Sequence, residues 1–272
     1  MGRYIALVPM GMALAACSGG GGSGARSTDP VASAAEKTSQ QGSAKSDVVF
    51  SRPDGVLAGK VSGVFNNDAE GSGRASLEFP VLGRTLRMDM VFRGGTLYMK
   101  SSVFHDDPTF PKGKDWVAIN LDEAAEVHGL DLNSLGPQFT VAFLRGSKGD
   151  DHRVSTETVR GIETTHYRLT VDRAAAARKA KGKAAKTLRK MVKLAGVSTY
   201  PFDVWIDKQG LVREDYYSQP LGPETPGMTI TEFDYDYGPK VPIEAPPSDK
   251  VFRATKHVIQ HATNYAIQHA KP

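Results

Sequence analysis

The sequence predicts an α+β domain in which a large antiparallel sheet carries a few helices on its apolar side. Three observations lead there. Apolar residues alternate with polar ones at a period of two through most of the chain. Glycine turns join successive alternating segments, Gly94-Gly95 being the tightest. Only a few segments show the three-to-four spacing of a helix.

The elements follow in chain order. Met1-Gly2-Arg3 gives a positive start, residues 4–13 are apolar, and Leu14-Ala15-Ala16-Cys17 comes next. The apolar run falls short of the roughly 20 residues that span a bilayer, so residues 1–16 read as a signal peptide. The tetrapeptide resembles the lipobox of bacterial lipoprotein precursors. There the cysteine thiol takes a diacylglycerol and the chain is cut just before it. Cys17 is therefore the expected site of lipid attachment, here a palmitate-type acylation. It is also the only cysteine in 272 residues, so no disulfide is available to the folded part. Residues 17–29 form the lipidated cysteine and a flexible Gly/Ser spacer with a reach of roughly 20 Å. An exported protein, lipid-anchored to the outer face of the cell membrane, is the localisation expected from this stretch.

Residues 30–245 form the expected domain. Asp29 is a fair N-cap with Pro30 at the first helical position, and Val31, Ala34, Ala35 and Thr38 lie at helical spacing up to residue 41. Strands are expected at 44–51 and 57–65. Ala75, Leu77 and Phe79 then alternate with Arg74, Ser76 and Glu78. Leu86, Met88, Met90 and Phe92 alternate with Arg87, Asp89, Val91 and Arg93, and Leu97 and Met99 follow the glycine turn. A strand is expected at 116–121, a loop at 122–135 and a helix at 138–145. Strands return at 153–159 and 163–171. Asp172 can cap a long helix to about residue 195. Three final strands follow, with Phe202, Val204 and Ile206 on one face of the first. In the last, Thr231, Phe233, Tyr235 and Tyr237 alternate with Glu232, Asp234 and Asp236. Residues 239–247 are a proline-rich exit, and 246–272 form a C-terminal extension whose weak amphipathic pattern from residue 251 suggests a helix.

The chemistry of catalysis is missing from the pattern. No nucleophile elbow, P-loop, zinc-protease helix or cofactor fingerprint occurs, so no enzyme activity, cofactor or metal is expected. Asn66 to Gly71 begins like a calcium loop, but Leu77 stands where its last ligand belongs, so it reads as a polar turn. His257 and His261 lie four apart and read as a solvated helix face. His105-Asp106-Asp107 reads as a polar loop. The net charge of +4 is too mild to argue for nucleic acid.

Two features stand above that background. Nine cations lie between Arg173 and Lys193 with no acid among them. They form either a solvated helix face or a surface for anionic headgroups. The second feature is the apolar set Leu77, Phe79, Leu86, Met88, Met90, Phe92, Leu97, Met99, Phe202, Val204 and Ile206. It reads either as ordinary core or as the lining of a lipid cavity, to which flexible methionine is suited.

Four segments resemble the LppX/LprG-type lipoproteins of actinobacteria, within the wider LolA-like group. They are AAEKTSQQGSAKSDVVF at 34–50, FRGGTLYMK at 92–100 followed by DWVAINL, RGIETTHYRLTVDRAAA at 160–176, and YPFDVWIDKQGLVRE at 200–214. The resemblance implies a curved antiparallel half-barrel with helices over its concave apolar face. It also implies that the protein binds or shuttles lipids or lipid-linked glycans in the envelope, with a transporter as a further partner. The alternative is an anchored surface interaction module with a filled core and no lipid cargo.

Overall fold

The computed structural model describes residues 29–53, 58–68, 71–81, 84–106, 110–121, 123, 137–147, 152–180, 185, 188, 189, 192, 199–219 and 227–255. Cys17 and its spacer up to residue 28, nearly all of the 122–135 loop, and His257 and His261 lie outside the described residues. Twelve strands form one sheet: β1 Ser43–Ser51, β2 Ala58–Asn66, β3 Gly73–Val81, β4 Arg84–Arg93, β5 Thr96–Lys100, β6 Trp116–Asn120, β7 His152–Val159, β8 Ile162–Asp172, β9 Thr199–Asp207, β10 Val212–Gln219, β11 Met228–Gly238 and β12 Val251–Arg253. Four helices accompany them among the described residues: α1 Pro30–Ser39, α2 Val103–Asp106, α3 Pro137–Leu144 and α4 Arg173–Lys179.

The strand order is β12-β6-β5-β4-β3-β2-β1-β11-β10-β9-β8-β7, a curved sheet that does not close. Neighbouring strands are antiparallel, as alternation and short turns require, except where β12 lies parallel to β6. The sheet is therefore mixed rather than wholly antiparallel. Gly94 and Gly95 both have positive φ, 58° and 73°, which a two-residue hairpin turn with the right twist demands.

Helix α1 forms as its sequence dictates. The Asp29 carboxylate accepts the Ala32 N–H at 2.8 Å, and Val31, Ala34, Ala35 and Thr38 are all buried. Its last buried residue ties helix to sheet, because Thr38 Oγ1 accepts the Val212 N–H at 3.0 Å. Helix α3 buries Val141, Ala142, Phe143 and Leu144 in succession. Under these helices Phe202 stacks on Tyr217 with ring centroids 5.0 Å apart, and Phe143 closes over both.

Two expectations change. The basic segment is not one helix from Arg173 to residue 195. Helix α4 stops at Lys179 and Ala180 is extended (φ −70°, ψ 155°), just before the Lys-Gly-Lys stretch that propensity disfavours. Ala185 and Leu188 are again helical and buried. Arg173, counted above with the exposed cations, is completely buried at the first turn of α4.

The second change concerns the C-terminal segment. Residues 239–247 are not an exit but a strap across the sheet. Ser43 Oγ donates to the Pro239 carbonyl at 2.8 Å and the Arg93 guanidinium reaches the Ile243 carbonyl. The buried Asn66 amide engages Val241 twice, donating to its carbonyl at 2.8 Å and accepting its N–H at 2.8 Å. The strap ends in a short 3-10 turn and then β12, so the sheet continues past residue 245 and residues 251–253 are strand rather than helix.

Asn66→Leu should cost about 1–3 kcal/mol, because it leaves both backbone groups of Val241 without their partner. Urea denaturation of the two proteins measures it. An unchanged midpoint would mean that Asn66 does not hold the strap.

Candidate functional site

Residues directly opposite one another in antiparallel strands share a face, so the strand registers locate the predicted apolar set. Leu77 faces Met88, Phe79 faces Leu86, Met90 faces Met99, and Phe92 faces Leu97. The same parity carries through β2, β1, β11 and β10 to Phe202, Val204 and Ile206 on β9. All eleven residues thus lie on the face that bears the helices. They form two groups at opposite ends of that face, with β2, β1, β11 and β10 between them. Phe202, Val204, Ile206, Met90, Phe92 and Leu97 are buried. Leu77, Phe79, Leu86, Met88 and Met99 are only half-buried. The helices explain the difference: α1 packs on β9 and β10, and α3 and α4 pack on β8.

Between the two groups the same face holds something that sequence reasoning missed. Asp215, Glu232 and Asp234 are buried there, because it is the acidic parity of β11 that points under the helices. Asp215 stands directly across from Glu232. The Glu232 carboxyl accepts from Ser46 Oγ on β1 and from Thr140 Oγ1 on α3, each at 2.8 Å, so it joins sheet and helix. The Tyr237 hydroxyl lies 3.4 Å from Asp234 Oδ2. Burial raises all three carboxyls, Asp215 and Asp234 well above their ordinary values. Like charge raises Asp215 further, through Glu232 and Asp234, and raises Asp234 through Glu232. The Arg213 charge lowers Asp234 only in part, and Arg213 is itself bound to Asp207 at 2.6 Å. Burial also raises the Tyr237 phenol.

The opposite face carries a second cluster. His166 Nε2 lies 2.7 Å from Asp203 and Nδ1 lies 3.1 Å from Glu157, while its ring stacks on Trp205 at 4.3 Å. Arg168 also donates to Asp203, at 2.9 Å. With both ring nitrogens facing carboxylates, this imidazole is a structural clamp joining β7, β8 and β9. The remaining candidates are local. Asp68, in the calcium-like stretch, accepts from Ser72 and pairs with Lys240 at 2.7 Å, which makes it a turn bracket. His105 lies 3.7 Å from Asp115 and packs edge-on against Phe110. Among the described cations of the basic segment, Arg178, Lys179 and Arg189 are exposed.

No family model matches the chain. An uncharacterised 31.2 kDa protein from the rplA–rplJ intergenic region of Streptomyces griseus is 33% identical over 145 residues, 49% of this chain and 46% of that protein. The chain thus spans about half the length of that relative. Among solved structures, LprF of Mycobacterium bovis is similar with a TM-score of 0.51 and 13% identity, over 80% of this chain and 96% of LprF. The lipoprotein LppX of Mycobacterium tuberculosis gives a TM-score of 0.47 and 15% identity, over 80% of this chain and all of that one (100%). The chain has the open, curved-sheet fold of LprF, the kind of fold to which the four sequence segments pointed. Among the described residues no helix is long and apolar enough to cross a membrane.

The acid cluster predicts a pH dependence with a definite sign. Its carboxyls have raised values in the folded state, so the native protein holds protons that the unfolded chain releases near pH 4. Their contribution favours folding below the unfolded value and is lost as pH rises through the folded ones. Asp215→Asn keeps the shape and removes one of these titrations. Thermal unfolding should show the variant more stable than the parent at alkaline pH, with the difference shrinking as pH falls towards about 4. A difference that stays constant with pH would contradict the assignment.

Proposed function

We propose that this is an exported lipoprotein, anchored through Cys17, that binds or shuttles a lipid or lipid-linked glycan on the apolar face of its sheet. One observation carries the reading: the apolar parity extends beyond the helices. The described helices pack chiefly on β8, β9 and β10, whereas Leu77, Phe79, Leu86, Met88 and Met99 on β3, β4 and β5 remain half-buried. Each methylene that an acyl chain buries there is worth about 0.8 kcal/mol. Met88 and Met99 adapt to chains of different shape, because an unbranched thioether has three rotatable bonds. Such a protein is a carrier that makes and breaks no bond, and its cargo passes to an envelope transporter. The exposed Arg178, Lys179 and Arg189 suit it to anionic headgroups.

The test belongs at Met88 rather than at Met90, because Met90 is only 4% exposed and already packed. If acyl chains occupy the space above Met88, Met88→Trp should lower lipid occupancy in protein extracted from its host and leave the melting temperature nearly unchanged. If that space is filled core, the same change should cost about 1–3 kcal/mol from overpacking, with no lipid to lose.

Anchoring has its own test. Cys17→Ala should abolish incorporation of labelled palmitate and release the protein from the membrane fraction. Two acyl chains suffice for stable attachment and nothing else in the reading replaces them. Normal labelling of the variant would remove Cys17 from the account.

A further inference from the structure

On the face away from the helices, alternation calls for polar side chains, yet one band of that face departs from the rule. Tyr235, Lys45, Val64, Arg74, Val91 and Tyr98 are successive register partners and form a single row across six adjacent strands, from β11 to β5. From Tyr235 to Val91 apolar and cationic residues take turns. The next row along the strands holds Ser62, Ser76 and Asp89, again in register. The second row and all of the first except Tyr98 border one groove of about 560 Å³, with Trp116 and Tyr235 among its walls. Each of those rings has an ammonium group 5.9 Å from its centroid, Lys100 at Trp116 and Lys45 at Tyr235. Lys45 is held by Asp236 at 2.8 Å, whereas Arg74 is exposed and has no ion pair among the described residues.

We propose that this groove binds a linear anionic polysaccharide in which acidic sugars alternate with neutral ones. The backbone N–H and C=O groups beneath it are already paired within the sheet, so the occupant is read by side chains and not by strand addition. A sugar ring has C–H faces that lie well on Tyr235, Trp116 and the valines, and hydroxyls for Ser62, Ser76 and Asp89. Its carboxylates meet Arg74 through charge-assisted bonds, and Lys45, which Asp236 also holds, lies two strands away as the second cation. Spacing favours alternation. Strands lie about 4.8 Å apart, so like side chains recur every second strand, roughly 9–10 Å. In a β-linked chain successive sugars turn over, so the same face and the same charge also recur at every second sugar. The site lies on the opposite side of the sheet from the lipid face, and neither site needs the other.

The full-length protein in detergent micelles is titrated calorimetrically with a hyaluronan decasaccharide, in which glucuronate alternates with N-acetylglucosamine. Cellohexaose serves as the neutral probe and polyglutamate as the non-sugar anion. Binding of the decasaccharide is expected, with much weaker binding of the other two. Arg74→Glu should weaken it by about tenfold or more, and Tyr235→Ala by a smaller factor, without altering lipid occupancy. Arg74 is exposed, so its replacement leaves the melting temperature unchanged. If Tyr235→Ala melts early, the exposed Lys45→Glu replaces it and should also weaken binding. No heat with the decasaccharide overturns the proposal. So does equal binding of polyglutamate or cellohexaose, or full affinity in Arg74→Glu.

Discussion

An open sheet whose inward positions are mostly apolar cannot remain uncovered in water, since each Å² of apolar surface left wet forfeits about 25 cal/mol. That constraint governs the rest of this structure. From β8 to β5 the strand registers turn one side-chain face inward, on a sheet that is curved and does not close. At one end the cover comes from the chain itself, through α1, α3, α4 and the stacked rings of Phe202, Tyr217 and Phe143. At the other end five apolar side chains are left half-buried, and the proposed function assigns their cover to an acyl chain.

The middle of the inner face carries the cost of this arrangement. Three carboxyls lie where aliphatic side chains would pack more favourably; burial raises their affinity for protons, and Ser46 and Thr140 donate to Glu232. The two edges of the sheet are managed differently. At one, the strap held by Asn66 delivers β12 alongside β6. At the other, β7 stands as an edge with mostly exposed, polar side chains, a pattern that discourages association through its free backbone groups.

Most of the strands and helices were legible in the sequence because each rests on a local rule. Alternation marks the strands, Gly94-Gly95 the hairpin, and Asp29 and Asp172 cap α1 and α4. What escaped depends on distant residues. In β11 the aromatic parity looks like the core side, yet Phe233 lies on the outer face. It is buried there because Arg160, from the β7–β8 turn, lies 4.1 Å above its ring and pairs with Asp47 at 2.7 Å. At Phe233 the outer face of β11 is therefore covered as well as the inner one, and no local pattern announces that. Arg173 sits in a basic run and is buried only because α4 begins against the sheet. Strand β12 has three residues, too few for a period to appear, and its partner is more than a hundred positions away in the chain. The apolar face itself was legible residue by residue. Which part of it the helices leave half-covered was not, because that follows from the curvature and order of twelve strands.

The central claim is that the half-covered face holds lipid, and native mass spectrometry of the full-length protein, gently extracted from its own host, addresses it most directly. The account predicts a non-covalent adduct with the mass of an acyl lipid, bound one per chain and additional to the covalent anchor on Cys17. A protein carrying the anchor mass alone, with no dissociable lipid under conditions that keep it folded, would contradict it.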